Sequence, residues 1–281
     1  MDNSSDTRPI GIFDSGVGGL TVLQELLVKF PNESFIYLGD TARVPYGTKS
    51  PATVERYTIQ VAEFLLRQGV KGLVVACNTA SALGLKALRD HSSVPVLGVI
   101  EPGCLAAAGL LQEDDASQTG GGMLASHRIG VIGTHATISS GAYAWHLGRL
   151  APGCRVTSVA CPLFVPVVEE GWTSYPSAAL LIRESLQAFI DHPVDFLILG
   201  CTHYPILKPR IAAVLGPATT LVDSAKAVAL SLNKLLGLVI VPSPTRNFVR
   251  YYVTDSASRF REVAVRFLPQ LAMDSVEVVD L

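Results

Sequence analysis

Leu73-Val74-Val75-Ala76-Cys77-Asn78-Thr79-Ala80 and Phe196-Leu197-Ile198-Leu199-Gly200-Cys201-Thr202-His203 follow one plan, their cysteines 124 positions apart. In each, an apolar run leads to a cysteine, and hydroxyl or amide residues come next. Short apolar runs without polar alternation predict strands buried on both faces, as in a parallel sheet. Ile10–Phe13, Phe35–Leu38 and Val96–Ile100 read this way around the first stretch. Ile129–Ile132, Val156–Val159 and Thr220–Val222 do so around the second. Between them, Thr53–Gln68 and Ser177–Ile190 carry apolar residues near the 3.6-residue helical period, such as Val54, Tyr57, Val61, Phe64 and Leu65 in the former. Strands alternating with helices predict an α/β fold with right-handed crossovers.

The two sets of strands line up. Ile10 and Ile129 are 119 positions apart, and Glu101 and Asp223 are 122 apart. A period near 120 residues predicts two similar α/β lobes with mostly parallel sheets, facing each other. Beyond the second set, the sequence predicts a strand over Phe248–Val253, a helix over Ser256–Leu268 and a last strand over Val276–Val279. That tail is expected to return to the first lobe. The predicted first lobe is therefore discontinuous, 10–102 plus 226–281, the second lobe is 103–225, and 1–9 form a polar tail. Gln112–Ser126, with Gly120-Gly121-Gly122, reads as an exposed loop.

The chain has 281 residues, 49% of them hydrophobic and 16% charged, with a formal net charge of −2. So much apolar side chain excludes disorder for the bulk. Without a basic excess, neither nucleic acid nor an anionic membrane is an expected partner. No apolar run reaches the ~18 residues of a membrane span; the longest candidate, Ala225–Pro242, is broken by Lys226, Asn233 and Lys234. The polar, acidic start, Met1 to Asp6, lacks the basic-then-apolar order of an export signal. Five cysteines, an odd number, then fit free thiols in a reducing, cytoplasmic setting.

Ligands of α/β sheets bind beyond the carboxyl ends of the strands. The residues collected there are Asp14-Ser15-Gly16-Val17-Gly18-Gly19, Gly39-Asp40-Thr41 with Pro45-Tyr46-Gly47, and Cys77-Asn78-Thr79. The second set supplies Gly133-Thr134 with Thr137 and Ser139, Cys161-Pro162, and Gly200-Cys201-Thr202-His203-Tyr204-Pro205. Cys104 and Cys154 read as small buried hydrophobes, and Cys161, followed by proline, as structural. Cys77 and Cys201 stand where a helix start would favour thiolate and lower a thiol pKa from about 8.5. His203 is two residues from Cys201. A redox pair would favour Cys-x-x-Cys, which is absent. A zinc site wants about four ligands, and Cys201-Thr202-His203 offers two. A third chemistry is two-base proton transfer, one thiolate taking a proton from a carbon while the opposite thiol returns one to the other face. It needs equivalent groups on opposite walls and no cofactor. No dinucleotide or P-loop motif occurs, since Asp14–Gly19 departs from Gly-x-Gly-x-x-Gly. The amides of that turn and Ser15 suit a carboxylate.

Ile12-Phe13-Asp14-Ser15-Gly16-Val17-Gly18-Gly19-Leu20, Val44-Pro45-Tyr46-Gly47, Ala76-Cys77-Asn78-Thr79-Ala80, Cys161-Pro162-Leu163-Phe164-Val165-Pro166 and Leu199-Gly200-Cys201-Thr202-His203-Tyr204-Pro205 together resemble the signatures of the glutamate racemases of the aspartate/glutamate racemase family. They occur in the family's order, and the resemblance covers nearly the whole chain from Ile10. It implies two α/β lobes with the site between them and cofactor-independent, metal-free interconversion of L- and D-glutamate, supplying D-glutamate for peptidoglycan. It also implies a homodimer. By the same resemblance, Cys201 acts on the L-enantiomer and Cys77 on the D-enantiomer, with Asp14 beside the first cysteine and His203 beside the second. Asp14-Ser15, Tyr46-Gly47, Asn78-Thr79 and Thr202-His203 match the substrate-binding pairs. Glu169 matches an accessory acid, with Glu170 adjacent as the alternative. Two departures stand out: the long stretch Gln112–Ser126, and Ala136 where many relatives carry glycine. The rival readings are a racemase of aspartate, since one methylene is worth only about 1–3 kcal/mol of discrimination, and a non-catalytic amino-acid binder, which would need the cleft but neither thiol.

Overall fold

The computed structural model describes residues 6–117, 127–238, 248–269, 273 and 275–281. Its strands, in chain order, are β1 (Ile10–Asp14), β2 (Phe35–Gly39), β3 (Gly72–Val75), β4 (Val96–Gly98), β5 (Arg128–Gly133), β6 (Arg155–Ala160), β7 (Phe196–Gly200), β8 (Thr220–Val222), β9 (Val249–Val253) and β10 (Val276–Val278). The helices are α1 (Leu20–Lys29), α2 (Pro51–Arg67), α3 (Asn78–Leu83), α4 (Leu85–His91), α5 (Ile100–Ser117), α6 (His135–Ser139) and α7 (Ala142–Leu150). They continue with α8 (Phe164–Glu169), α9 (Pro176–Ser185), α10 (Gln187–Asp191), α11 (Lys208–Leu215), α12 (Ala225–Leu236) and α13 (Ala257–Ala264).

All strand pairings are parallel. They form a six-stranded sheet, β10-β9-β2-β1-β3-β4, and a four-stranded one, β6-β5-β7-β8. The order β2-β1-β3-β4 in the first sheet is repeated as β6-β5-β7-β8 in the second. The protein is thus an α/β molecule with two like-wound parallel sheets. In each, the chain leaves the first strand to one side and then crosses to the other, which opens a crevice at the carboxyl ends. Cys77 follows β3 and Cys201 follows β7, the equivalent strands of the two sheets.

Strands β1, β2, β3 and β7 are buried at every position. Helices cover both faces, so these strands need no polar side. Three of the edge strands differ from the sequence reading, since β6 has only exposed and half-buried positions, β8 passes from exposed to buried and β10 is mostly exposed, whereas the edge strand β4 is buried throughout. The run Val96–Ile100 ends as a strand at Gly98, and Ile100 already opens α5. Ser177–Ile190 is two helices, α9 and α10, broken at Leu186. The helix read over Ser256–Leu268 closes at Ala264. The stretch read as a loop from Gln112 is helical through Ser117, since α5 continues into it; 118–126 lie outside the described residues. Helix α2 follows its periodicity, with Val54, Val61 and Leu65 buried, Pro51 at its first position and Ser50 Oγ accepting the Thr53 amide at 3.3 Å. Among the described residues no helix is long and apolar enough to cross a membrane.

Two glycines give opposite tests of this packing. A Cβ on Gly130 in β5 would lie 2.7 Å from Leu197 Cδ1 and 2.9 Å from Phe189 Cε1, both in buried side chains. Gly130→Ala should cost about 1–3 kcal/mol of stability by overpacking. Gly148 in α7 has nothing within 4 Å of an added Cβ, so Gly148→Ala should stabilise by about 0.5–1 kcal/mol. Chemical denaturation of the two variants checks both signs.

Candidate active site between two sheets

The site is assembled from strand ends. Asp14 is the last residue of β1, and Ser15 to Gly19 make the turn into α1. Gly16 is pinned there: its amide donates to Asp14 Oδ2 at 3.0 Å, and its carbonyl accepts from Tyr37 Oη at 2.9 Å. Cys77 caps α3, its Sγ accepting the Ala80 amide at 3.5 Å. The Cys77 thiol also donates to Ser15 Oγ at 3.6 Å. Cys201 opens a turn that leads into a short 3-10 segment, Tyr204–Leu207, rather than an α-helix. Its Sγ lies 3.9 Å from His203 Nδ1. The far ring nitrogen, Nε2, meets Glu169 Oε1 at 2.8 Å. Both cysteines are buried, 5% and 7% exposed, so neither sulfur reads as a surface thiol.

The two lobes meet across this site through groups without side chains or with short ones. A Cβ on Gly18 would fall 2.2 Å from Thr202 Oγ1 and 2.5 Å from His203 Nδ1, so only glycine allows the β1–α1 turn to abut the second sheet. Likewise a Cβ on Gly47 would lie 2.6 Å from Thr134 Cβ. Thr79 Oγ1 shares hydrogen bonds with Thr134 Oγ1 at 3.0 Å and Thr137 Oγ1 at 3.1 Å, and those two share one at 3.0 Å. Asn78 Nδ2 donates to Tyr143 Oη at 2.8 Å. Thr21 Oγ1 donates to the Thr202 carbonyl at 3.3 Å. Thr21, Asn78 and Cys201 border a cavity of about 20 Å³, smaller than an amino acid.

Contacts between the two sheets thus link Ser15, Gly47, Cys77, Asn78 and Thr79 to the region of Cys201, Thr202, His203 and Glu169, but the surroundings of these residues differ. Tyr46 Oη already donates to Asp40 Oδ2, and Asp40 also takes Arg43 Nε at 2.7 Å and Thr254 Oγ1 at 2.8 Å. Asp40 is thus a buried tie-point that fixes Tyr46 and Gly47 in place. The two adjacent acids are sorted by geometry: Glu169 touches His203, whereas Glu170 pairs with Arg259 Nη2 at 2.7 Å. Cys161 is buried, and its carbonyl anchors Tyr204 Oη at 2.7 Å. Ala136 sits inside α6, whose first turn is capped by Thr134 Oγ1 accepting the Thr137 amide at 3.2 Å. Tyr143 is the partner that sequence reading passes over, because on α7 it shares the apolar face with Leu147 and looks like core. Among the described residues no group of three or more His, Cys, Asp or Glu side chains is placed to hold a metal ion.

The electrostatics separate the two thiols. Burial pushes Cys77 up to about 12, and nearby Asp14 adds to the shift; the Ala80 and Ser15 hydrogen bonds do not offset it. The lowering expected from a helix start is overruled, since α3 is six residues long and offers Sγ a single amide. Burial also raises Asp14, against the pull of His203 and of the Gly19 and Gly16 amides. For His203 burial alone lowers the pKa, but contacts with Cys201 and Glu169 outweigh it and lift it to about 10. The two sulfurs therefore have unlike neighbours, a cationic imidazole beside Cys201 and a buried acid beside Cys77.

Comparison with known proteins agrees with this arrangement. The sequence profile described as Asp/Glu/Hydantoin racemase matches residues 21–232. A glutamate racemase of Geobacter metallireducens is 48% identical over 263 residues, 93% of this chain and 93% of that protein. The crystal structure of glutamate racemase from Francisella tularensis in complex with D-glutamate superposes with a TM-score of 0.85 at 40% identity, covering 98% of each chain. The aspartate racemase of Picrophilus torridus, at 16% identity and a TM-score of 0.54, covering 83% of this chain and 95% of that one, shares the fold. With its two like-wound sheets, paired strand-end cysteines and full-length match to these enzymes, the chain belongs to the Asp/Glu/hydantoin racemase family.

Proposed function

We propose that this protein interconverts L- and D-glutamate by two-base proton transfer at Cα, with Cys77 and Cys201 as the two bases. The observation that carries this reading is the placement of two buried thiols at equivalent strand ends of two sheets, each beside its own ionisable neighbour. The Cys201 thiolate takes the Cα proton of L-glutamate and becomes a thiol. The electron pair left on Cα spreads into the carboxylate. The Cys77 thiol gives its proton to the opposite face and becomes a thiolate, leaving D-glutamate. The reverse reaction runs through the same groups. High resting pKa keeps Cys77 protonated and ready to donate. Across the cleft, the His203 ring, held cationic by Cys201 and Glu169, stands 3.9 Å from the Cys201 sulfur.

An α-proton of an amino acid is weakly acidic, so the developing charge needs fixed donors. Ser15, Asn78, Thr79 and Thr202 surround the cleft with hydroxyl and amide groups. Donors aimed at a developing oxyanion are worth about 2.7–4 kcal/mol each. Asn78 keeps one amide hydrogen for the ligand after donating the other to Tyr143. In this reading the substrate enters as the lobes part, which breaks the threonine contacts between them. Closure then excludes water and strengthens these contacts.

Glutamate is favoured over aspartate because relatives above 40% identity carry the glutamate activity in their names, whereas the aspartate racemase shares only the fold. The further roles, provision of D-glutamate for peptidoglycan in the cytoplasm and assembly as a homodimer, rest on the family resemblance. Incubating the protein with L-glutamate in D₂O, without added cofactor, should give loss of optical rotation together with deuterium at Cα. Aspartate turned over as fast as glutamate would overturn the substrate assignment.

Cys77→Ala and Cys201→Ala should each lower racemisation by at least about 10²–10⁴-fold while the thermal transition is retained; wild-type turnover by either variant would refute the two-base assignment. The His203 imidazole should titrate near 10 when followed by NMR. Because its folded pKa is raised, the cation persists below that pH and is lost as pH rises through it. Glu169→Gln keeps an acceptor for Nε2 but removes the charge, so the His203 titration should move to lower pH.

A further inference from the structure

The carboxyl end of α8 is held from the other lobe. Glu169, the last residue of α8, has a terminal carbonyl that no helical amide can satisfy. Arg266 Nη1 donates to that carbonyl at 2.7 Å. The guanidinium lies against Gly171, whose φ is 72° and where an added Cβ would be 3.0 Å from Arg266 Nε; a side chain there would displace it. The next residue, Phe267, is buried and meets the His203 ring edge-on, centroids 5.2 Å apart at 87°. Arg259 draws the Glu170 carboxylate away at 2.7 Å, leaving Glu169 as the acid that faces His203. Arg259, Arg266 and Phe267 all belong to α13 and the turn after it, which follow β9 of the six-stranded sheet, whereas Glu169 and His203 hang from the four-stranded one.

We propose that Arg266, seated between the Glu169 carbonyl and Gly171, is a positioning residue for proton transfer at the Cys201 face, because it fixes the main chain that aims the Glu169 carboxylate at His203. This inference rests on the two-thiol reading above. Arg266 does not reach either cysteine; it acts through Glu169, and Phe267 supports it by bracing the imidazole. On the Cys77 side, the groups that touch or flank the thiol, Asp14, Ser15 and the Ala80 amide, belong to the same lobe as the thiol, and Arg266 reaches none of them. The effect of loosening the hold is therefore one-sided.

The test compares Arg266→Met with Arg266→Lys, which keeps a donor. An equilibrium constant of one between enantiomers forces kcat/KM to fall equally for both, so the rate alone does not identify the face. Arg266→Met should lower both by roughly tenfold, the loss expected for one charge-assisted hydrogen bond, and Arg266→Lys should stay within about threefold of wild type. The discriminating readout is the isotope effect on kcat/KM with glutamate deuterated at Cα. In Arg266→Met it should rise for the enantiomer deprotonated by Cys201, where that step has become limiting, and fall for the enantiomer deprotonated by Cys77. Isotope effects that stay put or move together, or a wild-type rate in Arg266→Met, would overturn the proposal. Cys77→Ser and Cys201→Ser serve as controls, each expected to retain solvent deuterium exchange with one enantiomer, and a different one in each case. If the controls fail to separate the enantiomers, the two-thiol reading fails; if they separate them and Arg266→Met does not shift the isotope effects, only the positioning role fails.

Discussion

A stereocentre addressed from two sides needs two sheets whose strand ends come within a side chain's reach of each other. That spacing is set at Gly18 and Gly47, where the main chain of the first lobe lies so close to Thr202, His203 and Thr134 of the second that a single added carbon would collide. The rest of the site follows from this approach. The threonine triangle, the Asn78–Tyr143 bond and the Thr21–Thr202 bond all bridge the same gap. They are individually modest hydrogen bonds, each worth about 1 kcal/mol net. Contacts of that strength hold the lobes together yet allow them to part for a substrate.

The lobes match in topology but not in electrostatics. In one, burial raises the proton affinity of both Asp14 and Cys77, and the Asp14 carboxyl adds to the rise at the sulfur. In the other, a buried imidazole is kept cationic by an acid and a sulfur, in spite of its desolvation. The chemical asymmetry is built from residues that the repeat does not duplicate: Asp14 ends β1 where Gly133 ends β5, and Glu169 comes from α8 rather than from a strand end.

Much of this was legible in the chain itself. Apolar runs of three to five residues ending in cysteine or glycine mark buried parallel strands, and the spacing of Cys77 and Cys201 reflects the repeated strand order. Periodicity failed where the tertiary setting decides: at β6, whose edge position leaves it half open, and at Leu186, where one apolar period spans two helices. The state of the Cys77 thiol was misread for a related reason. A helix start is a local signal, but burial and the approach of Asp14 are long-range effects with no local trace. Tyr143 and Arg266 escaped for the same cause, since an aromatic on an apolar helix face and a lone arginine near the carboxyl terminus carry no signature until the lobes are brought together. Conversely, the choice between Glu169 and Glu170 needed only the direction in which each side chain leaves α8.

Strand β2 pairs with β1 on one side and with β9 on the other, along its whole length from Phe35 to Gly39. More than two hundred residues separate β2 from β9, and the entire four-stranded sheet is encoded between them. During synthesis from the amino terminus, β2 is therefore an open sheet edge, wholly apolar and unprotected, until the last thirty or so residues have emerged. The same segment delivers α13 to the cleft, so the pairing that covers this edge of β2 also brings in Arg266 and Phe267.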